Sequence, residues 1–154
     1  MRRLVVVFVI LGGWIVSAVS PAEAAPPSST RHVVGTDDGF YISCQGFDVG
    51  FTASYEATFT DFYDASGDVV RSTLHLQFTG TLYNESDPSK FLPYAGVANF
   101  TWIGDLQRAT GPYVAWIDGK RVILETGLAV VDTATGDVSL HGIWQDEVLC
   151  GPLA

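Results

Sequence analysis

The chain has 154 residues and a formal net charge of −9, because 17 acidic side chains outnumber 8 lysines and arginines. Such a surface repels phosphate backbones, which argues against nucleic acid as a partner. The acidic residues are spread along the chain without forming a block, which is typical of a solvated surface rather than an interaction tail.

An export signal opens the chain. Arg2 and Arg3 precede an apolar run over residues 4–19, and residues 22–24 form an A-x-A cleavage sequence. This order is typical of a secretory signal peptide, which we assign to residues 1–24. An uncleaved membrane anchor is the alternative, but the apolar run is shorter than the roughly 20 residues that a span needs. We therefore predict a secreted, extracellular protein with no stable membrane span after cleavage.

A leader and one domain follow the signal. Residues 25–36 include the Pro/Ser-rich stretch PPSSTR, whose composition predicts a flexible segment. Residues 37–154 are numerous enough to bury a core, and no other stretch resembles a linker. The sequence therefore predicts a single folded domain over residues 37–154.

Strict alternation predicts the first long strand at residues 47–63. FDVGFTASYEATFTDFY carries apolar residues at most odd positions and polar residues at most even ones, which is the period of a half-buried strand. DASGD, residues 64–68, supplies the composition of a hairpin loop. The next strand follows over residues 69–83, with its apolar face on even positions.

The hairpin between these strands predicts a register. A four-residue loop closed by pairing of Tyr63 with Asp68 places Tyr55 opposite Leu76 and Glu56 opposite His75. A carboxylate beside an imidazole has the geometry of a general base and its orienting group. Opposite charges across a sheet surface are nevertheless common, and no GxSxG, HExxH or P-loop motif accompanies them. We therefore assign no catalytic residue, no metal and no cofactor.

The second half of the chain predicts further strands. A loop over residues 84–90 precedes a less regular strand at 97–103, and GDLQRATG breaks the chain again. PYVAWIDGKRVILETGLAVV, residues 112–131, predicts two strands around Asp118-Gly119, because Asp-Gly between apolar runs is a strong hairpin signal. After another loop, a last strand is expected to run to Leu149.

These elements predict an all-β fold, a single antiparallel meander barrel of about six to eight strands. A β-sandwich is the alternative. The first and last strands of a closed meander are neighbours, so a Cys44–Cys150 disulfide would close the seam. A disulfide is the default for cysteines of an exported protein, and a loop of about 100 residues gains up to ~4.7 kcal/mol in the chain-entropy model.

An aromatic inner face is the candidate ligand site. Barrels of about eight strands are either filled by side chains or hold one small ligand. Core packing is thus the competing explanation for the same residues. The predicted cavity wall consists of Phe51, Tyr55, Phe59, Leu76, Phe78 and Trp144. The obvious polar groups on the inner face of the clear strands are Tyr55, Ser72 and Thr126.

A small apolar patch is predicted on the outside of the barrel. The Asp-Gly turn pairs Trp116 with Arg121, and Ile123 and Ile143 lie on the same face. The patch is either covered by the loop at residues 104–111 or serves as a partner or self-association surface. We favour cover by the loop, which leaves weak self-association as the other outcome.

FYDASGDVVR, FTGTLYN and the closing LCGPLA together resemble segments of a group of small, secreted, uncharacterised bacterial proteins. The resemblance covers most of the mature chain, and its motifs are mainly turns and strand ends. The inferred architecture is similar to the barrel shared by allene oxide cyclases and dirigent proteins. This similarity implies a fold only, because no catalytic residue of those families matches a position here.

The sequence thus predicts a secreted, non-catalytic protein that binds a small apolar ligand inside a β-barrel. A barrel cyclase or isomerase is the first alternative, and it would need a polar group inside the barrel. An extracellular protein-interaction or envelope-associated module is the second, and it would use the outer Trp116 patch. A strongly shifted pKa of an inner polar group would favour the enzyme.

Overall fold

A computed structural model describes residues 27–154; the predicted signal peptide, residues 1–24, lies outside the described residues. The chain forms β1 (Ser28–Cys44), β2 (Phe47–Tyr63), β3 (Val69–Asn84), β4 (Asp87–Ile103), β5 (Leu106–Thr110), β6 (Tyr113–Ile117), β7 (Lys120–Asp132) and β8 (Val138–Trp144). A 3₁₀ helix, Asp146–Leu149, and a short helix α1, Cys150–Leu153, complete it. Over residues 27–154, no helix has the length and apolar character needed to cross a membrane.

The strands form one antiparallel meander. β1 to β4 pair in chain order, and β8 pairs with β7. β5 and β6 both lie between β4 and β7, so they behave as one strand that is interrupted at Gly111 and Pro112. Eight strands therefore fill seven positions, and because this number is odd, β1 and β8 run in the same direction.

The predicted all-β meander and the Cys44–Cys150 disulfide are confirmed. The two cysteines form a bond with their Cα atoms 5.6 Å apart. Closure of the barrel is only partial, because no backbone ladder joins β1 to β8 in the described sheet. The disulfide and the segment after β8 bridge this seam at one end only.

The segment over residues 146–153, here called the C-terminal plug, fills that end of the barrel. Leu149 and Leu153 are fully buried in the core cluster together with Val49 and Leu82. Asn84 Nδ2 donates a 2.9 Å hydrogen bond to the Leu153 carbonyl oxygen. The plug therefore supplies apolar cover that the sheet lacks on its own.

The opposite end of the barrel is open. Phe59 and Trp102 are only half-buried there, although both belong to the inner face. Val138 and Leu140 on β8 are 60% and 50% exposed. The interior can therefore be reached from the end that carries the N-terminus of β1.

Four glycine–aromatic pairs give the long strands their shape. Gly35 faces Tyr55, Gly39 faces Phe51, Gly96 faces Phe78 and Gly50 faces Tyr83 across adjacent strands. A Cβ at Gly96 would lie 2.4 Å from the Phe78 ring. Each glycine thus makes room for a ring laid over the neighbouring backbone, as aromatic residues often do beside strand glycines.

Several element boundaries differ from the prediction. β1 begins at Ser28, inside the expected leader, because its pairing with β2 extends to Ser28–Phe62. The loop expected over residues 84–90 is a tight turn, because Asn84 Oδ1 accepts hydrogen bonds from two backbone amides just after it. GDLQRATG contains β5 instead of a chain break.

The last strand ends at Trp144, not at Leu149 as predicted. Gln145 turns the chain inward, because its backbone N–H donates to the Leu124 carbonyl at 2.9 Å. Its Nε2 also donates to the Ile123 carbonyl at 2.6 Å. These two bonds satisfy the Ile123 and Leu124 carbonyls of β7, which lie beyond the last residue of β8.

The β2–β3 register also differs from the prediction, by two residues. Tyr55 pairs with Phe78 instead of Leu76. The hairpin loop is one residue longer than expected, and Val70 on β3 is left unpaired between the partners of Phe62 and Tyr63. A shift of two keeps every side chain on its predicted face, so the inner faces of both strands are as expected.

Candidate functional site

A pocket of about 200 Å³ lies inside the barrel, next to the plugged end. Six of its lining residues are aromatic, and one is acidic. The lining consists of Asp37, Tyr41, Phe51, Ala53, Tyr55, Leu76, Phe78, Tyr94 and Tyr113. The pocket is therefore an aromatic chamber with a carboxylate at its wall.

Tyr94 is the centre of the aromatic lining. Its ring centroid lies 5.1 Å from Phe78, 6.3 Å from Tyr41 and 6.4 Å from Phe51. Phe78 is in turn 5.1 Å from Tyr113, with the rings nearly perpendicular. Edge-to-face contacts of this kind fix ring orientations, so the chamber is largely preformed.

Two carboxyl groups, those of Glu125 and Asp146, lie behind Tyr41, which itself lines the chamber. The Tyr41 hydroxyl can donate to Asp146 Oδ1 at 2.9 Å or to Glu125 Oε1 at 3.3 Å. Burial, the negative charge of Asp146 and a hydrogen bond to Asp146 raise the pKa of Glu125 to about 7. The Glu125 carboxyl therefore keeps its proton to a higher pH than an ordinary glutamate does.

Tyr41, Tyr94 and Tyr113 line the chamber as neutral phenols. Burial, followed by the charges of Asp146 and Glu125, raises the pKa of Tyr41 well above its usual range. Burial also raises the pKa values of Tyr94 and Tyr113 to about 12. Their hydroxyls can therefore donate or accept hydrogen bonds, but they do not supply phenolate at physiological pH.

Of the six predicted wall residues, four line the pocket: Phe51, Tyr55, Leu76 and Phe78. Phe59 lies farther toward the open end, where the Arg31 guanidinium sits 4.7 Å from its ring centroid. Trp144 pairs with Glu125 on β7 and stays outside the lining. Its buried Nε1 has no hydrogen-bond partner among residues 27–154.

The inner polar groups differ from the prediction at β7. A bulge leaves Leu124 unpaired between Ile123 and Glu125, which reverses the alternation beyond it. Glu125 consequently faces the interior, whereas Thr126 pairs with Ile143 on the opposite face. Ser72 instead donates a 2.5 Å hydrogen bond to Asp61 near the open end.

The predicted pairing of Glu56 with His75 is wrong. His75 lies opposite Thr58, and its Nδ1 lies 2.7 Å from the Asn99 side-chain oxygen. Glu56 pairs with Gln77. Over residues 27–154, no three His, Cys, Asp or Glu side chains are grouped to hold a metal ion.

The outer patch has the predicted strand pairing. Trp116 lies opposite Arg121 on β7, and Trp116 and Ile143 are 37% and 43% exposed. The stretch that was expected to cover the patch forms β5, which is paired between β4 and β7. Cover by that loop is therefore wrong, and the patch stays open to solvent.

A broad groove of about 530 Å³ lies mainly on the same outer face. Its outward-facing lining includes Ser54, Glu56, Gln77, Thr79, Val97 and Arg121. Val34, Ala95, Pro112 and Val114 also line the groove, so its lining mixes apolar residues with charges of both signs. The groove is thus a shallower and chemically mixed alternative to the inner pocket.

The sequence pattern did not identify Asp37, Tyr41, Tyr94 and Tyr113 as lining residues, nor the Glu125–Asp146 pair. Asp37 and Tyr41 lie before the first recognised strand, in the stretch DDGFYIS, which has no alternation of polar and apolar residues that would identify a strand. A count of acidic residues flanking the disulfide could have drawn attention to Asp146. Comparison of the chain with protein-family models, curated proteins and solved structures finds no match.

Proposed function

We propose that the protein is a secreted binder of a small, largely apolar molecule, which it holds in the inner pocket. The observation that carries the proposal is an unfilled aromatic chamber beside a packed core. Its volume of about 200 Å³ exceeds the ~30 Å³ share of one water molecule in the liquid. It is smaller than the ~300–1,000 Å³ of pockets for drug-sized ligands. A ligand of about one substituted ring fits this range.

Secretion is part of the proposal. It is supported by the signal-like N-terminal sequence and by a disulfide of the kind that persists in oxidising compartments.

A cyclase- or isomerase-like enzyme is the second candidate, and one observation favours it. Glu125, with a pKa of about 7, could give or take a proton at neutral pH. Its carboxyl lies behind Tyr41 and outside the pocket lining, so a substrate in the pocket would meet the phenol first. We therefore rank binding ahead of catalysis.

The test uses mature protein isolated from the culture medium of its producer. We expect native mass spectrometry to detect a retained small molecule, and thermal shift assays to detect stabilisation when the extracted molecule is added back. Leu76→Trp should abolish both signals, because Leu76 lines the pocket.

Gln77→Trp is the matched control, because Gln77 is the next residue along β3 and lines the outer groove instead. Both variants are checked for an unchanged far-UV circular dichroism spectrum. Loss of binding in Gln77→Trp but not in Leu76→Trp would move the site to the outer face and favour the interaction module. If both variants retain the small molecule, neither the inner pocket nor the outer groove is the binding site.

A further inference from the structure

We infer that the ligand of the inner pocket is a small organic cation, an alkyl- or arylammonium ion, held by the aromatic rings and by Asp37. This inference rests on the proposed function, since it assigns a charge class to the ligand of the same pocket. It is carried by the position of Asp37, the arrangement of the rings and the sign of the surrounding charges.

Asp37 is directed into the chamber by the register of β1. It pairs with Ala53, an inner-face residue, whereas its neighbour Asp38 pairs with Thr52 on the other face. Asp37 Oδ1 accepts a 3.0 Å hydrogen bond from the Asp38 backbone N–H. That bond orients the carboxylate and leaves its second oxygen available to a ligand.

The rings supply the second part of a cation site. Tyr94, Phe78 and Tyr113 are joined by centroid distances of 5.1 Å, and Tyr41 and Phe51 border Tyr94. Aromatic faces carry a negative electrostatic potential, and several faces around one space form the usual cage for quaternary ammonium groups. Six of the nine residues that line the chamber are aromatic.

The charged residue that lines the chamber is acidic. In the described structure, the pocket lining includes no lysine, arginine or histidine. Glu125 and Asp146 lie behind Tyr41. An anionic ligand would be repelled by Asp37 and this pair, and a neutral ligand would bury part of the Asp37 carboxylate without compensation. A cation compensates that carboxylate and contacts the rings.

The test compares choline with its neutral isostere 3,3-dimethyl-1-butanol by isothermal titration calorimetry on the disulfide-bonded protein. We expect choline to bind about tenfold more tightly, because a desolvated cation–π contact contributes roughly as much as a tenfold change in affinity requires. Leu76→Trp should abolish this binding, which assigns the signal to the pocket.

Asp37→Asn should weaken choline binding about fivefold, as the loss of a partly solvent-screened ion pair predicts. Asp38→Asn is the matched control, because it changes the net charge equally but lies on the other face. We expect it to leave the affinity of choline unchanged. Asp37 is solvent-exposed, so neither variant removes a buried group from the fold.

Equal or tighter binding of the neutral isostere, lost in Leu76→Trp, would overturn the cation inference and leave the proposed function intact. Equal weakening by Asp37→Asn and Asp38→Asn would also overturn it, since a general surface charge would then be responsible. Absence of binding by both compounds, together with no retained molecule in native mass spectrometry, would overturn the inference and the proposed function.

Discussion

The Tyr41 hydroxyl lies 2.9 Å from Asp146 Oδ1 and thereby ties the first strand to the segment that follows the last one. The same hydroxyl lies 3.3 Å from Glu125 Oε1 on β7. Three elements that no common backbone ladder joins therefore meet at one phenol. Burial and the negative charge of Asp146 raise the pKa of Glu125, so the Glu125 carboxyl of this group is the one that retains a proton.

Stability should fall as this proton is lost. The pKa of Glu125 is raised in the folded state from 4.5 to about 7, so the folded protein binds more protons than the unfolded chain in this interval. The favourable contribution is complete below the unfolded pKa and is lost as the pH rises through about 7. Glu125 is half-exposed to solvent, so we expect a loss of only ~1–2 kcal/mol.

Urea denaturation of Glu125→Gln between pH 5 and pH 8 checks this prediction. The variant should lack most of the pH dependence and should be more stable than the wild type at pH 8. Glu56→Gln, on the outer face, removes the same charge and should keep the wild-type profile. An unaltered pH profile in Glu125→Gln would show that the Glu125 carboxyl does not retain this proton in the folded protein.

The Cys44–Cys150 bond should contribute several kcal/mol to stability. It joins residues 106 apart in sequence, and a loop of about 100 residues corresponds to ~4.7 kcal/mol in the chain-entropy model. We expect the Cys44→Ser/Cys150→Ser double variant to lower the free energy of unfolding by ~3–5 kcal/mol. Reduced wild-type protein is the control, and its unfolding midpoint should match that of the variant. A variant as stable as the oxidised protein would contradict the prediction.

Asn84 should anchor the C-terminal plug. Its side chain is 5% exposed and bonds the Leu153 carbonyl and two turn amides. Asn84→Ala leaves these groups unpaired, which should cost ~2–3 kcal/mol. Asn99→Ala, at an exposed position, should change stability by less than ~0.5 kcal/mol. Chemical denaturation measures both, and faster amide exchange at residues 149–153 should accompany the first. Equal effects would argue against the anchor.

Gly80 should resist substitution because β2 passes directly over it. A Cβ at this position would lie 1.9 Å from the Thr52 carbonyl oxygen. We expect Gly80→Ala to lower the unfolding free energy by ~3 kcal/mol or more, because the backbone of two strands must separate. Gly151→Ala meets no atom within 4 Å and should stabilise α1 by up to ~1 kcal/mol. Similar thermal midpoints for both variants would refute this account.

The strand pattern of β2 and β3 was predictable because alternation and a hairpin turn are local signals. The Asp118-Gly119 turn followed from the same kind of local signal, whereas the disulfide followed from the predicted export and from the predicted adjacency of the first and last strands. The exact β2–β3 register did not, because it depends on one extra loop residue and an irregularity near Phe62. Neither feature can be recognised from the amino-acid composition of the strands.

The acidic part of the candidate site was hidden for two physical reasons. The inner face of β1 carries Gly35, Asp37 and Gly39 in place of large apolar residues, so it lacks the contrast that identifies a strand. These glycines make sense only beside the rings on β2 that cover them. Glu125 was hidden because the unpaired Leu124 reverses the alternation of β7, and a bulge is a property of the pair of strands.

The meander has a consequence for how the chain acquires its structure. Every ladder joins strands that are adjacent in sequence or separated only by the β5–β6 interruption, so each can begin from a short loop closure. Contacts of this kind favour rapid folding. The link between Cys44 and Cys150 spans 106 residues and depends on all the hairpins between them. We therefore expect the thiols to oxidise after the sheet has formed. The disulfide then stabilises a fold that is already complete and does not direct the folding of the sheet.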